Sequence, residues 1–396
     1  MRKVISEFRG VILATAAVSS LAAPAYAQSA NQADEEAGLG ENVVTANKRT
    51  ENLQQTPIAI SAVSSEQLAL QGLSETKDLS AIAPNVSIVG ATTNATASVV
   101  TIRGIPTAAD ETMGYDSPIG IYVDGIYMAR SAASSFEVAD IERVEVLRGP
   151  QGTLFGRNTT GGAINFITRL PDEEAGVTLR GGYGNLGQIN ARVVANSGSI
   201  GDSFRNSLGL LYRKRNGTVD NILEPDRSRD PGASETISAR WAAAVDVGDS
   251  VKFTNIFDYT RIKGLSGAFQ LAALGDGTFL PPITVDGNTF NRVQPANVQG
   301  YLASATALNP ECGTPLSQVS RSRLSQICNN AHGPSVDKLW GNMTRITADL
   351  GGATLRSTTA FRWWRNTIGG NDIDGLGLIR GPMFSSATTL NGMPES

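Results

Sequence analysis

A glycine-rich run is the first candidate for chemistry in this sequence. Gly182 to Gly187, with the letters GYGNLG, has the spacing of a dinucleotide-binding loop. Such a loop needs a helix directly after its glycines, whereas Gln188 to Ala195 alternates in polarity as a strand does. A hairpin turn is therefore the better interpretation. Asp372 to Gly375 carries only a fragment of a calcium-loop pattern, and it too predicts a turn.

Catalytic side chains do not stand out elsewhere. His332 is the only histidine, and neither a Ser-His-Asp, a Cys-His nor a paired-carboxylate arrangement can be recognised. The sequence therefore predicts a protein that is not an enzyme and that holds no metal or cofactor of its own.

Composition favours a β-rich chain. The 396 residues include 42 glycines and carry a formal net charge of −4. This length exceeds that of one ordinary domain, which is about 100–200 residues. The absence of a basic excess predicts no nucleic-acid partner, and the abundance of Gly, Ser, Thr and Asn favours many short strands and turns.

The N-terminus has the features of an export signal. Arg2, Lys3 and Arg9 supply positive charge, an apolar run follows from Val11 to Leu21, and Ala25-Tyr26-Ala27 is a small-x-small cleavage pattern. A membrane-spanning helix is the alternative, but it needs about 20 apolar residues. No later run in the sequence reaches that length, so only a closed β-barrel would place the mature chain in a membrane.

The two cysteines, Cys312 and Cys328, lie in a stretch rich in Asn, Ser and Pro. In an oxidising compartment, two nearby cysteines favour one disulfide. Metal binding is the alternative, but only His332 is close by, and a zinc site needs about four ligands.

A short β-prone segment follows a small, acidic leader. Its core is Val43, Val44, Thr45 and Ala46, within the letters ENVVTANKR. A portable strand of this kind adds to the exposed edge of a partner's sheet through main-chain hydrogen bonds. The alternative is that it forms the first strand of the next domain.

Residues 50–171 alternate short strands with short helices. Ser64 and Gln67 make a capping box for one helix, and Ser74 and Pro84 delimit a second. The predicted strands are Ile58–Val63, Val86–Val89, Val99–Arg103, Ile119–Val123, Val144–Arg148 and Ala163–Thr168.

After Pro171 the pattern changes to longer alternating strands. A lipid-facing surface around a polar lumen produces this alternation, although a soluble β-sandwich produces it too. Short turns at Asp246–Ser250 and Leu350–Ala353 contrast with a long loop from Lys263 to Val336, as in outer-membrane barrels. One predicted face carries Ile237, Ala239, Trp241, Ala243 and Val245, and the other carries Ser238, Arg240 and Asp246.

An ordered series of motifs resembles the TonB-dependent outer-membrane receptor family, siderophore-receptor type. The motifs are ENVVTANKR (41–49), which resembles a TonB box, QQTPIAIS (54–61), DL (78–79), APNV (83–86), TIRGI (101–105), IYVDGI (121–126) and the long run IERVEVLRGPQGTLFGRNTTGGAINFITRLP (141–171).

The resemblance implies a mixed α+β plug domain inside an antiparallel transmembrane β-barrel of about 22 strands. The predicted division is a signal peptide (1–27), a periplasmic leader with the TonB box (28–49), the plug domain (50–171) and the N-terminal part of the barrel (172–396). We call residues 50–171 the plug region below. Residues 172–396 have room for about seven to ten strands of about 10 residues. We therefore expect an incomplete barrel that does not form a stable pore alone.

The resemblance also implies a function. A scarce ligand, by default a ferric siderophore, binds outside, and TonB of the inner-membrane energy-transducing complex engages the box and remodels the plug. Iron enters only within the transported complex, and the remaining partner is outer-membrane lipid. Alternatives are a receptor for cobalamin, a saccharide or an aromatic compound, a non-transporting product of a truncated gene, and a passive porin.

Two further sets of residues are candidates within the plug region. The resemblance implies that three arginines pair with carboxylates of the barrel wall. Three acidic residues in the loop from Thr107 to Pro118 are candidates for facing the ligand, with a solvated acidic loop as the alternative. The arginines are Arg103, Arg148 and Arg157, and the acids are Asp110, Glu111 and Asp116.

Overall fold

The structure is a computed structural model, and part of the chain is described. The described residues are 43–44, 51–52, 56, 58–70, 76–81, 83–91, 94–107, 116–128, 140–201, 203–224, 226–268, 270, 283–285, 288–290, 310–312, 320–328 and 333–369. The predicted signal peptide, Thr45, Ala46, Asp110, Glu111 and His332 lie outside them. Among the described residues, no helix has the length and apolar character that crossing a membrane requires.

The plug region folds as two small sheets with short helices. The described elements up to Thr168 are β1 (Val43–Val44), β2 (Glu51–Asn52), β3 (Ile60–Ser64), α1 (Ser65–Leu70), a 3-10 helix (Thr76–Ala81), β4 (Val86–Gly90), β5 (Ser98–Ile102), β6 (Ile105–Pro106), β7 (Ile119–Val123), β8 (Ile126–Met128), β9 (Ile141–Arg148), α2 (Gly152–Phe155) and β10 (Gly162–Thr168). The five-stranded mixed sheet has the order β3-β9-β10-β7-β8, and the three-stranded sheet has the order β4-β5-β6.

The predicted capping box is confirmed at the start of α1. The main-chain N–H of Gln67 donates to Ser64 Oγ at 3.2 Å, and the N–H of Ser64 donates to Gln67 Oε1 at 3.1 Å. The second predicted helix is wrong in type, since Thr76–Ala81 is a 3-10 helix. Short segments adopt this tighter form, and here the hydroxyl of Ser80 accepts a hydrogen bond from the next strand, at Ile88 N.

One apolar core joins the two sheets of the plug region. Strand β10 lies at the centre, parallel to β7 and antiparallel to β9. The side chains of Val100, Ile102, Ile119, Ile164 and Phe166 are all at most 2% exposed and belong to one cluster. A central strand that is buried on both sides explains the nearly continuous apolar letters of β7 and β10.

The rest of the chain is dominated by a seven-stranded antiparallel sheet with the order β11-β12-β13-β15-β16-β20-β21. The predicted hairpin at the glycine-rich run is confirmed, because β11 pairs with β12 across it. The strands are β11 (Ala175–Gly184), β12 (Gln188–Ser197), β13 (Phe204–Arg215), β15 (Ser234–Val247), β16 (Val251–Gly264), β20 (Ser335–Asp349) and β21 (Thr354–Thr367), and the loops carry β14 (Asp220–Asn221), β17 (Ile283–Val285), β18 (Asn288–Phe290) and β19 (Gln326–Ile327).

The two faces of this sheet have the reverse of the polarity found in a soluble sandwich. In β15, Arg240 is 1% exposed while its neighbour Trp241 is 41% exposed. In β16, Asp258 is 3% exposed while Phe257 is 40% exposed. Polar residues therefore point to the covered, inner face and apolar residues to the open, outer face. This arrangement favours a strand wall with lipid outside over the alternative of a β-sandwich.

The plug region packs on the inner face of the sheet. Leu339 of β20 belongs to the plug core cluster, and Ile126 of β8 packs against Ala242, Ile256 and Met343 of the sheet. The core of the plug region thus continues into the wall. Within the described residues, β11 and β21 are the two edges of the sheet.

Removal of one phenyl ring from the core of the plug region and one from the outer face of the seven-stranded sheet tests the assignment of the outer face. Phe166→Ala leaves a cavity in the buried core and should lower the free energy of unfolding by about 3–5 kcal/mol. Phe361→Ala acts on a ring that is 56% exposed and should cost only about 1 kcal/mol, mostly from its contact with Trp340. Urea unfolding of the full chain in detergent, followed by circular dichroism, measures both. Equal losses would show that Phe361 is as buried as Phe166 and that the outer face is wrongly assigned.

Candidate functional site

The strand-forming segment near the N-terminus is paired within its own chain. Val43 lies opposite Asn52 and Val44 opposite Glu51 in an antiparallel pair. The side chain of Val44 is fully buried. The described part of the predicted TonB box is therefore a strand, but one with only two residue pairs. Such a ladder is short enough for another strand to replace.

A tight turn in the plug region is the centre of its polar contacts with the sheet. Asp124 and Gly125 join β7 to β8 with φ angles of 52° and 83°, and an Asp-Gly pair with both angles positive is the favoured hairpin turn. The Asp124 carboxylate accepts hydrogen bonds from Thr168 N at 2.9 Å and Thr168 Oγ1 at 2.8 Å. The turn is thereby fixed to the end of β10.

Two arginines of the sheet bind this turn from the wall. Arg240 of β15 donates from Nη2 to Thr168 Oγ1 at 2.7 Å, and Arg345 of β20 donates from Nη2 to the main-chain oxygen of Asp124 at 2.9 Å. The Thr168 hydroxyl accepts from Arg240 and donates to Asp124, which one hydroxyl is able to do. We call the group Asp124, Thr168, Arg240 and Arg345 the plug latch.

Carboxylates surround the buried guanidinium of the latch. Asp124, Asp140 and Asp258 are close enough to Arg240 to interact electrostatically with it. Asp140, in the plug region, lies 3.7 Å from Arg169. Burial raises the pKa of Asp140, while the guanidinium groups of Arg240 and Arg169 oppose that rise. The wall and the plug region therefore share one network of charges.

Two more buried groups extend this network. Glu145 is completely buried, and its Oε1 accepts from Arg143 Nε at 2.9 Å. Asn165 connects Glu145 to the turn, because its Nδ2 lies 3.4 Å from Glu145 Oε2 and its Oδ1 accepts from Gly125 N at 3.3 Å. In the wall, Arg362 Nη1 donates to Asp258 Oδ2 at 2.6 Å.

The three plug arginines predicted to pair with the wall have other neighbours. Arg148 donates to the main-chain oxygen of Pro84 at 3.4 Å, Arg157 lies 4.0 Å from Asp116 with both side chains exposed, and Arg103 is exposed. In the described part of the chain, no hydrogen bond or ion pair joins them to the sheet. Their pairing with a barrel wall stays a prediction.

The inward direction of the two latch arginines could be predicted from the alternation of polar and apolar residues along their strands. Arg240 occupies a polar-face position of an alternating strand, as predicted, and Arg345 does so on β20. Alternation predicts that such a side chain points inward, but it does not predict its partner. Of the acidic loop residues, Asp116 is exposed, and a contact between it and ligand stays a prediction.

The loops at one end of the sheet are connected to each other. Cys312 and Cys328 form a disulfide with their Cα atoms 5.8 Å apart. The adjoining strand β19 pairs in parallel with β14 of the loop between β13 and β15. Asp230 is fully buried and accepts from Asn221 N at 3.1 Å. Among the described residues, no cluster of His, Cys, Asp or Glu is placed to hold a metal ion.

Known proteins resemble this chain in the plug region and, more widely, in the fold. Residues 52–163 match the family model described as the TonB-dependent receptor plug domain. The chain is 32% identical over 197 residues to the pesticin receptor of Yersinia pestis. The aligned stretch covers 50% of this chain and 27% of that receptor. The chain thus spans about a quarter of that relative, which is named as a receptor and not as an enzyme.

Two solved structures share the fold over more of the chain. The ferric yersiniabactin uptake receptor FyuA from Yersinia pestis superposes with a TM-score of 0.57 and 18% identity, covering 79% of this chain and 42% of FyuA. The pyoverdine outer membrane receptor FpvA from Pseudomonas aeruginosa PAO1 gives a TM-score of 0.59 and 15% identity, covering 82% of this chain and 40% of FpvA.

These matches place the plug region and the sheet in one architecture. The family model covers residues 52–163 of the plug region, and the two structural matches cover about four fifths of the chain. Residues 52–163 therefore form a TonB-dependent receptor plug domain, and the adjoining antiparallel strands resemble part of the barrel of such receptors.

Proposed function

We propose that this chain is part of an outer-membrane receptor that takes up a ferric siderophore with energy delivered by TonB. The observation that supports this most is the plug latch, in which buried arginines of a strand wall hold a plug domain on the polar face of that wall. A passive porin has no need of such a plug. The names of two similar structures, receptors for yersiniabactin and pyoverdine, support the ligand class.

The same sheet supports an outer-membrane location. Its outer face exposes large apolar side chains, including Trp241, Phe257 and Phe361, and this is the surface that lipid covers in an outer-membrane wall. The predicted signal peptide provides export, and the loops tied by the disulfide then lie on the extracellular side, where the ligand arrives. In this proposal, iron is cargo within the ligand.

TonB engages the chain at the segment that contains Val43 and Val44. The pairing of β1 with β2 involves two residue pairs, so a partner's sheet edge is able to take the place of β2 and extend the ladder through Thr45 and Ala46. Main-chain hydrogen bonds supply the affinity in this mode of recognition. Force applied there pulls on the plug region.

The latch sets how firmly the plug region resists that pull. Hydrogen bonds to charged groups contribute about 1.5–3 kcal/mol each, and the latch has two from the wall. It holds the plug region in the resting state, yet the energy is small enough for a mechanical pull to overcome. Movement of the Asp124 turn away from Arg240 and Arg345 opens a path along the polar inner face.

Uptake measurements distinguish the proposed ligand classes. Cells that export the receptor of which this chain is part should accumulate ferric yersiniabactin or ferric pyoverdine, and accumulation should collapse when an uncoupler removes the proton-motive force. Cyanocobalamin serves as the competing ligand. Accumulation that survives the uncoupler would support a porin, and accumulation of cyanocobalamin alone would replace the ligand class.

A proline at the box tests the strand-addition role. Val44→Pro removes the main-chain donor that a ladder needs and should reduce energised uptake to the background level without weakening ligand binding to whole cells. Val44→Thr, which keeps the donor, is the matched control and should retain uptake. Normal uptake by the proline variant would exclude this segment as the TonB partner strand.

Removal of the central hydroxyl tests the latch. Thr168→Val leaves the buried guanidinium of Arg240 without its hydroxyl partner and should destabilise the contact by about 1–3 kcal/mol. Hydrogen–deuterium exchange at the Asp124 turn should then become faster by about tenfold or more. Ser207→Ala is the control, because the buried Ser207 hydroxyl has no partner within the described residues. Unchanged exchange in the Thr168 variant would contradict the latch.

A further inference from the structure

Three cations lie side by side on the outer face of the sheet. Arg261 of β16 is directly opposite Lys338 of β20, and Lys338 is directly opposite Arg365 of β21. We call these three residues the basic row. Lys338 shares its face with Trp340, and Arg365 shares its face with Trp363, since side chains two residues apart point the same way in a strand. This face is the one that does not contact the plug region.

The basic row is unfavourable by itself. Adjacent strands are about 4.8 Å apart, and like charges directly opposite each other destabilise a sheet. Arg261 has a carboxylate partner, Glu235, at 3.2 Å. Lys338 and Arg365 are both exposed, and neither has a hydrogen bond or ion pair in the part of the chain that the structure describes. Within the described residues, two of the three cations in the row, Lys338 and Arg365, therefore have no carboxylate to balance them.

An aromatic row lies directly beneath the basic row. Tyr259, Trp340 and Trp363 are in register across the same three strands, and the rings of Trp340 and Trp363 stack with their centroids 6.4 Å apart. Phe257 and Phe361 extend the cluster on either side of Trp340. Outer-membrane walls carry such aromatic residues at the boundary between hydrocarbon and headgroups.

The position of the basic row relative to the lipid layers follows from this boundary between hydrocarbon and headgroups. Residues two apart in a strand are separated by about 6.5–7 Å, so the cations lie one step beyond the aromatic row, at the level of the headgroups. They lie toward the end of the sheet that carries the long loop between β16 and β20. Charge, exposure and height all match the phosphate groups of lipids in that leaflet.

We propose that the basic row binds the phosphate groups of anionic lipids in the outer leaflet, an inference that rests on the proposed outer-membrane location. The guanidinium of Arg365 offers bidentate hydrogen bonds to a phosphate, and the ammonium of Lys338 adds a point charge beside it. The aromatic row packs against the acyl chains below. The ligand of this surface is distinct from the transported one, because the plug region occupies the opposite face.

A double variant tests the basic row. The full chain, purified in a neutral detergent, is titrated with lipid A, a bisphosphorylated glycolipid, and with phosphatidylcholine. Lys338→Gln combined with Arg365→Gln should weaken lipid A binding by about tenfold or more, because each cation near an anionic surface contributes to affinity. Phosphatidylcholine binding should not change. Native mass spectrometry counts the bound lipids.

The matched control removes the same charge from the other face of the same sheet. Lys252 and Arg356 lie in one row on the inner-face positions of β16 and β21, across Thr347. Lys252→Gln combined with Arg356→Gln should leave lipid A binding unchanged. Equal weakening by both double variants would reduce the effect to net charge and overturn the proposal, as would unchanged binding in the basic-row variant.

Thermal stability gives a second readout, because the basic-row substitutions should not lower the melting temperature when anionic lipid is absent. Without anionic lipid, loss of the like charges should leave the melting temperature of the basic-row variant equal to or above that of the parent. With lipid A, the parent should gain more than the variant. Inorganic phosphate that stabilises the parent as strongly as lipid A would overturn the assignment to lipid. None of these measurements involves uptake or TonB, so failure of the transport proposal appears separately, in the uptake assay.

Discussion

The structure depends on one constraint, which is that the polar face of the sheet must be covered by groups that satisfy it. Arg240 is 1% exposed, and a buried guanidinium without partners costs several kcal/mol. The partners come from the plug region, through Thr168 and the carboxylates around it. In return, the plug region obtains apolar cover from Leu339 and Met343 of the wall. Neither part is fully satisfied alone, so plug and wall are expected to form together.

Local rules explain how the plug region delivers those partners to the right place. The Asp-Gly turn between β7 and β8 needs two positive φ angles, and it brings a carboxylate to one end of the mixed sheet. Strand β10 runs parallel to β7, so its last residue, Thr168, arrives at the same end. The hydroxyl of Thr168 is then available to Asp124 on one side and to the wall on the other. Turn chemistry and strand direction are enough to build the plug half of the latch.

The sequence predicts these local features better than the contacts between them. Alternation correctly assigned Arg240 and Trp241 to opposite faces, and the capping box at Ser64 was visible from residue spacing. The partner of Arg345 was not, because Asp124 is 221 residues away in the chain and periodicity carries no information at that range. The resemblance directed attention to arginines of the plug region, whereas the described contacts come from arginines of the wall. The pairing of β14 with β19 was equally hidden, since two residues are too few to show a period.

Arg362 and Arg365 show how one strand treats the same residue type in two ways. They are three residues apart on β21, so they point to opposite faces. Arg362 meets Asp258 on the inner face, where both side chains are largely covered and the protein itself provides the partner. Arg365 lies on the outer face beside Lys338, another cation, and the described residues supply no carboxylate to it. A charge is tolerated on the outer face when the surroundings provide the counterion. Under the lipid-binding proposal, the headgroup layer contributes to the energetics of this wall as the plug domain does.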